Sequence, residues 1–414
     1  MQDSLKPPER AVLVAVDTGA YDYLSSLSEL RELAKTAGAE VVDSFIQNRP
    51  SPDNATYVGE GKLSEIQTFC QENQVTLLIF DDELTGSQTR NIEEFTGIRA
   101  VDRTTLILDI FAQRARSHEG RLQVELAQQK YRLPRLLGLG TQLSRLGGGI
   151  GTRGPGETKL ESDRRHIRRR IHALEEALEE LSAQRARTRE RRKKNNAVTV
   201  ALVGYTNVGK STLLNQLTSS EVYVQDQLFA TLDPTARELT LPNGQSVILM
   251  DTVGLIQRLP HQLVEAFHST LEVAADADLI LLVCDYGSPD RERQLDVAKK
   301  LLDELGCGEI PMITVCNKID KLDNPAPESN SRTVFISAKD PETLPPLLHA
   351  IEEALASRIC TLDLLLPYSE GSLLHLIREK GQVLSESYEP DGIRVKASIN
   401  RQYKKALSSY QIKK

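Results

Sequence analysis

The chain has 414 residues, of which 40% are hydrophobic and 26% are charged, and it contains no tryptophan. This length exceeds what one ordinary hydrophobic core holds and predicts two or three domains. No stretch approaches the roughly 18 apolar residues of a membrane-spanning helix, and the first residues lack the apolar part of a secretory signal. We therefore expect a soluble, cytoplasmic protein rather than an integral membrane protein. A peripheral association with a membrane stays open.

The cysteines and histidines show no metal-binding pattern. No C-x-x-C pair occurs, and the histidines His118, His166 and His172 stand apart from one another. We predict buried free thiols in a reducing compartment for the five cysteines, which are Cys70, Cys284, Cys307, Cys316 and Cys360.

Residues 1–119 have the pattern of an α/β domain. A helical pattern over Tyr21–Ala37 separates strand-like runs at Ala11–Val16, Glu40–Phe45 and Val75–Phe80, and such alternation predicts a parallel sheet. The run Val58-Gly59-Glu60-Gly61-Lys62 faintly resembles a phosphate loop, so a second nucleotide site, for ATP for example, is an alternative. Leu63 stands where a phosphate loop has Ser or Thr, and a structural turn is the favoured interpretation.

Residues 120–196 are predicted to form an antiparallel helical hairpin with a glycine-rich tip. Two helical stretches, 121–136 and 160–194, flank the glycine-dense segment 146–158. Apolar residues of the second stretch recur at heptad spacing, which is typical of a coiled-coil seam: Leu160, Ile167, Ile171, Leu174, Leu178 and Leu181. The second stretch has 12 basic and 7 acidic residues, a local net of +5 in a chain of net charge −7. That charge suits nucleic-acid phosphates and equally suits an ordinary solvated helix face.

Residues 197–360 alternate strands with helical runs, which predicts a doubly wound sheet. Its predicted strands are Val198–Val203, Val247–Asp251, Leu279–Cys284, Met312–Cys316 and Val334–Ile336. Residues 361–414 follow as a small C-terminal α/β domain. Its predicted elements are the strands Leu362–Leu366 and Ile393–Ala397 and a short helix, Leu373–Arg378.

A phosphate-binding loop lies between the first strand of residues 197–360 and a helical run. The sequence Gly204-Tyr205-Thr206-Asn207-Val208-Gly209-Lys210-Ser211, followed by Thr212, matches G-x-x-x-x-G-K-[ST]. Small residues let backbone N–H groups close around phosphate oxygens, and the helix N-terminus adds positive potential. We expect Lys210 to reach the β- and γ-phosphates as a catalytic residue and the Ser211 hydroxyl to ligate Mg²⁺.

Two further segments are predicted to face the γ-phosphate. Asp251-Thr252-Val253-Gly254 has the form D-x-x-G at a strand end, where the carboxylate holds Mg²⁺ through water and the Gly254 N–H contacts the γ-phosphate. The segment Phe229-Ala230-Thr231-Leu232-Asp233 lies between the two motifs. Thr231 is the favoured second Mg²⁺ ligand in a segment that orders with the triphosphate, and Thr235 is its rival. Thr231 and Gly254 join Lys210 as predicted catalytic residues.

The base is predicted to be guanine. Asn317-Lys318-Ile319-Asp320 follows an apolar strand, and Asp320 accepts from the N1–H and exocyclic amine that adenine lacks. Asn317 is expected to bond the other edge of the base, and the Lys318 stem to pack along the ring. Ser337-Ala338-Lys339 is expected to provide a backbone N–H for the guanine O6. Together the motifs predict a Mg²⁺-dependent GTPase that binds GTP and GDP on a P-loop GTPase fold, preceded by an α/β domain with a helical hairpin.

Leu255 occupies the position that follows D-x-x-G. Ras-like GTPases have a glutamine there that orients the attacking water. Because a leucine side chain cannot orient water, we expect slow intrinsic hydrolysis that depends on a partner or another residue.

Outside these motifs, the chain resembles the HflX family of translation-factor-class GTPases over nearly its whole length. The segments that carry the resemblance are 58–62 (VGEGK), 108–115 (LDIFAQRA), 119–127 (EGRLQVELA) and 154–161 (GPGETKLE), and Leu255 also fits that family. The resemblance implies a monomer that binds the large ribosomal subunit and splits or rescues stalled ribosomes under stress. It also implies that Thr231 ligates Mg²⁺ and that the hairpin and its tip approach the peptidyl-transferase region of ribosomal RNA.

Two other functions are left open by the residues. One is a GTPase that acts in ribosome assembly, and the other is a nucleotide-sensing scaffold at a membrane. An ATPase is disfavoured, because adenine would leave the Asp320 carboxylate unpaired.

Overall fold

A computed structural model describes residues 8–136, 155–194, 198–218, 229, 235–258, 273–322, 327–356, 359–400 and 403–412. Four residues of the predicted switch segment, Ala230, Thr231, Leu232 and Asp233, lie outside these ranges, as does 146–154 of the predicted tip. What we expect of them stays a prediction. The described residues form three separate sheets and a helical hairpin.

The N-terminal domain is a four-stranded parallel sheet of order β2-β1-β3-β4. Its elements are β1 (Glu9–Asp17), α1 (Tyr23–Thr36), β2 (Ala39–Asn48), α2 (Glu60–Glu72), β3 (Leu77–Phe80), α3 (Gly86–Thr96), β4 (Arg99–Asp102) and α4 (Arg103–Arg114). Strand β1 is buried on both faces, because its alternate residues enter two different cores, and such strands read as continuous apolar runs. The sequence analysis found the first three strands and missed β4.

The segment Val58–Lys62 opens helix α2. Gly59 precedes the helix and donates its N–H to Gln47 Oε1 at 2.8 Å, while Val58 is fully buried. Strand β2 ends at Asn48, so no strand leads directly into this turn as one does in a phosphate loop. The arrangement supports the structural interpretation of the segment.

The hairpin consists of α5 (His118–Arg135) and α6 (Pro155–Lys194). Leu174 is 1% exposed and the other described seam residues of α6 are half-buried, as the heptad spacing predicts. Ion pairs join the helices at Arg170–Glu125 (2.6 Å) and Lys130–Glu175 (3.0 Å). Helix α6 begins at Pro155, inside the predicted tip, because proline suits the first turn of a helix. Residue 120, at which the hairpin was predicted to begin, lies within α5.

The central domain is a six-stranded sheet of order β10-β9-β8-β5-β7-β6, parallel except for β6. Its elements are β5 (Val198–Gly204), α7 (Lys210–Thr218), β6 (Thr235–Thr240), β7 (Ser246–Asp251), β8 (Leu279–Asp285), α8 (Arg291–Glu304), β9 (Met312–Asn317), β10 (Thr333–Phe335) and α9 (Pro345–Ala356). The predicted strands are all present, whereas the edge strand β6 was missed. Strand order reverses around β5, and ligands of such sheets bind beyond the carboxyl ends of the strands at that point.

The C-terminal domain is a three-stranded antiparallel sheet of order β11-β13-β12. Its elements are β11 (Ile359–Leu366), α10 (Gly371–Lys380), β12 (Gly381–Glu389), β13 (Gly392–Asn400) and α11 (Lys404–Leu407). The predicted domain boundary at residue 361 falls inside β11, and the mostly polar edge strand β12 was not predicted. Within the described ranges, no helix is both long enough and apolar enough to cross a membrane.

Candidate nucleotide site

The phosphate loop connects the end of β5 to the start of α7. Asn207 and Gly209 adopt positive φ angles of 58° and 93°. A side chain at Gly209 would overlap the Asn317 amide, and one at Gly204 would overlap the Val283 carbonyl. The motif glycines are therefore required by close packing and by left-handed backbone, as well as by the approach of a phosphate.

Lys210 lies inside this loop. Its side chain is 7% exposed, and its Nζ donates to the Gly204 carbonyl at 2.9 Å and the Tyr205 carbonyl at 2.7 Å. Burial lowers the pKa of Lys210 to about 8, against the opposing charge of Asp251. The ammonium group in the loop thus loses its proton at a lower pH than an ordinary lysine does.

Ser211 and Asp251 meet beside the loop. The Ser211 hydroxyl donates to Asp251 Oδ2 at 2.7 Å, and Asp251 is fully buried at the end of β7. Hydroxyl and carboxylate oxygens are the hard ligands that Mg²⁺ prefers, so this pair fits the predicted metal. Of the two candidate threonines, Thr231 lies outside the described residues, while Thr235 begins β6 directly opposite Asp251.

No described residues form a second metal centre. Within the part of the chain that the structure describes, no group of three or more His, Cys, Asp or Glu side chains could hold a metal ion.

The D-x-x-G segment runs along the phosphate loop. Leu255 donates its N–H to the Gly204 carbonyl at 3.0 Å, and its carbonyl accepts the N–H of Thr206 at 2.8 Å. A Cβ added at Gly254 would lie 2.7 Å from Thr206 Cγ2, so only glycine fits there. These bonds extend the pairing of β5 and β7 beyond the strand ends, and Thr252 and Val253 are buried.

Leu255 itself is 4% exposed and packs into the core of the central domain. Its side chain is apolar and is buried against other core residues. It therefore offers no hydrogen-bonding group to a water molecule, as the sequence predicts.

In the Asn317–Asp320 segment, the Asn317 side chain is bound by two neighbouring loops. The Asn317 Nδ2 donates to the Val208 carbonyl at 2.7 Å, and its Oδ1 accepts the Ala338 N–H at 2.8 Å. An amide nitrogen carries two N–H groups, and the expectation that Asn317 bonds the edge of the base stays a prediction. The side chain ties the base-recognition segment to two neighbouring loops, because it is buried between them. That Ala338 donates to guanine O6 stays a prediction.

Asp320 is held as an acceptor. Ser337 Oγ donates to Asp320 Oδ1 at 2.6 Å, and this hydrogen bond holds the pKa of the Asp320 carboxyl below its usual range. An ionised carboxylate at this position can take two hydrogen bonds from guanine. The neighbouring Lys339 is exposed.

Lys318 spans the site in a left-handed conformation, with φ of 66°. Its Nζ donates to the Asn207 carbonyl at 2.6 Å and pairs with Asp285 Oδ2 at 2.8 Å. Its stem is thereby stretched between the phosphate loop and the end of β8, which is consistent with packing along a base. Asp285 was not singled out from the sequence.

The N-terminal domain contacts the central domain beside the nucleotide site through an apolar cluster. Phe229, Val253 and Ile256 are buried in the core formed by β1, β3, α1 and α4. The rings of Phe229 and Phe111 meet edge to face with centroids 4.5 Å apart. One residue from each of the two predicted switch segments, Phe229 and Val253, is thus part of another domain's core.

A charged cluster lies next to this apolar contact. Arg258 pairs with Asp81 at 3.1 Å and with Asp82, while Arg103 pairs with Asp81 at 2.9 Å and with Glu29. Burial raises the pKa of Glu29 to about 7, and the Arg103 charge opposes that shift. The cluster joins the segment after D-x-x-G to the carboxyl edge of the N-terminal sheet.

Sequence reasoning missed this interface, although one signal was present. Two aspartates, Asp81 and Asp82, directly follow the fully buried strand β3. Acidic side chains at the carboxyl end of a parallel strand typically serve a binding site. Their partner, Arg258, lies in another domain, and nothing in the local pattern identifies it.

Comparisons with known proteins agree with the geometry. Three family descriptions match consecutive parts of the chain: "GTP-binding GTPase N-terminal" at residues 24–112, "GTP-binding GTPase Middle Region" at 114–192 and "50S ribosome-binding GTPase" at 199–318. A protein named GTPase HflX from Caldanaerobacter subterraneus subsp. tengcongensis is 54% identical over 100% of this chain and 96% of its own length. The GTPase HflX of Escherichia coli (strain K12) is 41% identical over 95% of this chain and 93% of its own. Among solved structures, a crystal structure of SsGBP in complex with GDP is 27% identical with a TM-score of 0.49, covering 84% of this chain and 99% of that one.

Proposed function

This chain belongs to the HflX family of GTPases, and we propose that its GTP cycle controls binding to the large ribosomal subunit, where it splits or rescues stalled ribosomes under stress. The description of the matched central domain as a ribosome-binding GTPase supports a ribosomal partner. The proposal places the protein in the cytoplasm as a monomer.

The observation that carries the proposal is the basic surface of helix α6. We define this basic face as Arg164, Arg165, Arg168 and Arg169, which line one shallow groove together with His172 and Glu161. Arg165, Arg168 and Arg169 are exposed, and the pair Arg170–Glu125 lies apart from them on the side of α5. A row of exposed guanidinium groups suits the phosphates of structured RNA, which proteins bind largely by shape and charge.

Each residue of the nucleotide site has a separate role in this proposal. Lys210 and the phosphate-loop amides bind the polyphosphate, while Asp320 selects guanine. Ser211 and Thr231 would hold Mg²⁺, with Asp251 beside them, and the bound ion would supply charge neutralisation at the phosphates. Because Gly254 has no side chain, the D-x-x-G backbone can lie directly against Thr206 of the phosphate loop. Leu255 leaves the attacking water without a side chain to orient it, so the partner has to complete the catalytic arrangement.

The decisive experiment compares GTP turnover by the purified protein with and without large ribosomal subunits. We expect stimulation of at least about tenfold, because a partner that completes a GTPase site gives on the order of 10³-fold or more in well-studied cases. A Lys210→Ala variant controls for contaminating hydrolysis. Turnover that large subunits leave unchanged would contradict the proposal, and stimulation by precursor particles alone would favour a role in ribosome assembly.

A further inference from the structure

Two buried thiols face each other beneath the base-recognition segment. Cys284 on β8 and Cys316 on β9 are directly opposite in the parallel register, and their sulfur atoms lie 3.8 Å apart. Their side chains are 2% and 4% exposed. Neighbouring strands lie about 4.8 Å apart, and disulfides span Cα separations of about 4.4–6.8 Å. The backbone separation is therefore within the range that a disulfide can span, and the two sulfur atoms still have to approach each other to form the bond.

We propose that Cys284 and Cys316 are a modification site at which a peroxide forms a reversible disulfide, and that this disulfide lowers the affinity of the protein for guanine nucleotides. The inference rests on the assignment of Asn317–Asp320 as the base-recognition segment. It does not depend on a ribosomal partner.

Cys316 is the side chain suited to react first. The S–H group that Cys284 donates holds the pKa of the Cys316 thiol below its usual range, and the nearby Arg291 guanidinium acts in the same direction while burial opposes. The same contact and burial raise the pKa of Cys284. A thiolate is the form of cysteine that attacks an oxidant.

The chemistry balances with hydrogen peroxide as the oxidant. The Cys316 thiolate attacks one peroxide oxygen, the O–O bond breaks, and the sulfenic acid and hydroxide form. The Cys284 sulfur then attacks the sulfenic sulfur, the S–O bond breaks, and a second hydroxide leaves. With the two thiol protons, the products are one disulfide and two water molecules, so two thiols are oxidised and one peroxide is reduced.

The bond would disturb the site because each cysteine immediately precedes a residue that builds it. Asp285 follows Cys284 and pairs with Lys318 at 2.8 Å, and Asn317 follows Cys316 and donates to the Val208 carbonyl at 2.7 Å. Closing the sulfur–sulfur distance from 3.8 Å to about 2.05 Å draws the two strand ends together. Asn317 also lies close to Gly209 of the phosphate loop, so a shift of Asn317 would reach that loop as well.

The test uses the full chain and measures release of a fluorescent GDP analogue before and after treatment with hydrogen peroxide. We expect release on the order of tenfold faster after oxidation, because a displacement of about 1 Å in a positioned group is costly, and recovery with a thiol reductant. Peptide mass spectrometry under non-reducing conditions should find Cys284 linked to Cys316, with a mass loss of about 2 Da.

Two variants and one control complete the design. Cys284→Ser and Cys316→Ser should each bind GDP like the reduced protein and should lose the response to peroxide. The control Cys70→Ser removes a buried thiol of the N-terminal domain and should keep the response.

Three results would overturn the inference: absence of the linked peptide, a linked peptide without faster release, or a peroxide response that persists in both variants. Failure of the reduced protein to bind GDP would instead count against the nucleotide site itself, so the two failures are distinguishable.

Discussion

At the scale of single residues, Lys210 decides how the phosphate loop responds to pH. Burial removes its ammonium group from water, and this lowers the pKa of Lys210 to about 8 before any polyphosphate is bound. A bound polyphosphate favours the charged form and raises that pKa.

Nucleotide affinity should therefore fall as pH rises above about 8. Only the charged lysine pairs with phosphate, so the free protein must take up a proton to bind above that pH. The loss should approach about tenfold per pH unit. Titrating GDP affinity from pH 6 to pH 10 checks this. A flat profile up to the ordinary lysine range would contradict the low pKa.

Asp320 determines which base is accepted. We expect Asp320→Asn to weaken GDP binding by at least about 100-fold, because a site built to hydrogen-bond its substrate loses affinity strongly once a donor faces a donor. The preference for guanine over adenine nucleotides should largely disappear. The measurement is competition of GDP and ADP for a fluorescent GDP analogue.

A matched control for this change is Asp340→Asn, the same chemical substitution on the loop that follows Ser337–Lys339. Asp340 caps a short helical turn by accepting the Glu342 N–H at 3.1 Å. The Asp340→Asn variant should bind GDP like the unchanged protein. If Asp320→Asn leaves the preference for guanine intact, the assignment of the base-recognition segment is wrong.

At the scale of elements, one face of helix α6 packs against α5 and another is the basic face. The seam side, with Leu174 buried, holds α5 and α6 together. Among the ion pairs of the described residues, none joins the basic face to α5, since the interhelical pairs use Arg170, Arg185 and Glu175 instead.

Removing the charge of the basic face should weaken ribosome binding and leave intrinsic GTP hydrolysis unchanged. For the triple variant Arg165→Ala, Arg168→Ala and Arg169→Ala, we expect a shallower slope of log affinity against log salt. The slope should fall by roughly 0.7–0.9 for each phosphate group that the variant no longer neutralises. Sedimentation with large subunits at several salt concentrations measures both the affinity and the slope.

Arg170→Ala serves as the control on the same helix. It removes one charge and the ion pair with Glu125, whose partner atoms are largely exposed. Exposed pairs contribute at most about 1 kcal/mol, so the hairpin should persist. Equal losses of affinity in the control and in the triple variant would contradict a specific role for the basic face.

At the scale of the whole molecule, the segment that follows D-x-x-G lies between the N-terminal domain and the nucleotide site. The segment after D-x-x-G is held from one side by the phosphate loop and from the other by the N-terminal core and its carboxylates. A movement of this segment during the nucleotide cycle must therefore change the contacts between the two domains.

Arg258→Ala should loosen this boundary. The variant leaves the fully buried Asp81 with Arg103 as its remaining basic partner, and it leaves Asp82 with the hydroxyl of Tyr57. Because Arg258 is one-third exposed, we expect a modest loss of about 1–2 kcal/mol in the free energy of unfolding. Hydrogen exchange over residues 253–258 should also become faster. Urea unfolding and exchange mass spectrometry measure the two effects.

The control for this boundary is Arg90→Ala, which removes an exposed ion pair with Glu94 within α3. It should change neither unfolding nor exchange at residues 253–258. Unchanged exchange in Arg258→Ala as well would show that the charged cluster does not hold the segment.

Part of the site could be predicted because its residues are neighbours in the chain. The glycine spacing before Lys210, the D-x-x-G form and Asp320 each follow an apolar strand, and parallel strands bring their carboxyl ends together. The partners of Asn317 could not be predicted in this way. Its amide bonds the Val208 and Ala338 loops, and only the tertiary structure brings those loops to it.

By itself, the sequence determined the nucleotide chemistry, the parallel sheets and the helical hairpin, because local periodicity and short motifs encode them within a few residues. The tertiary structure decided what lies against what: Arg258 on Asp81, Phe229 in the N-terminal core, and Cys284 opposite Cys316. These contacts join segments that are far apart in the chain. Their formation depends on how whole domains pack, and a local pattern of residues does not encode that packing.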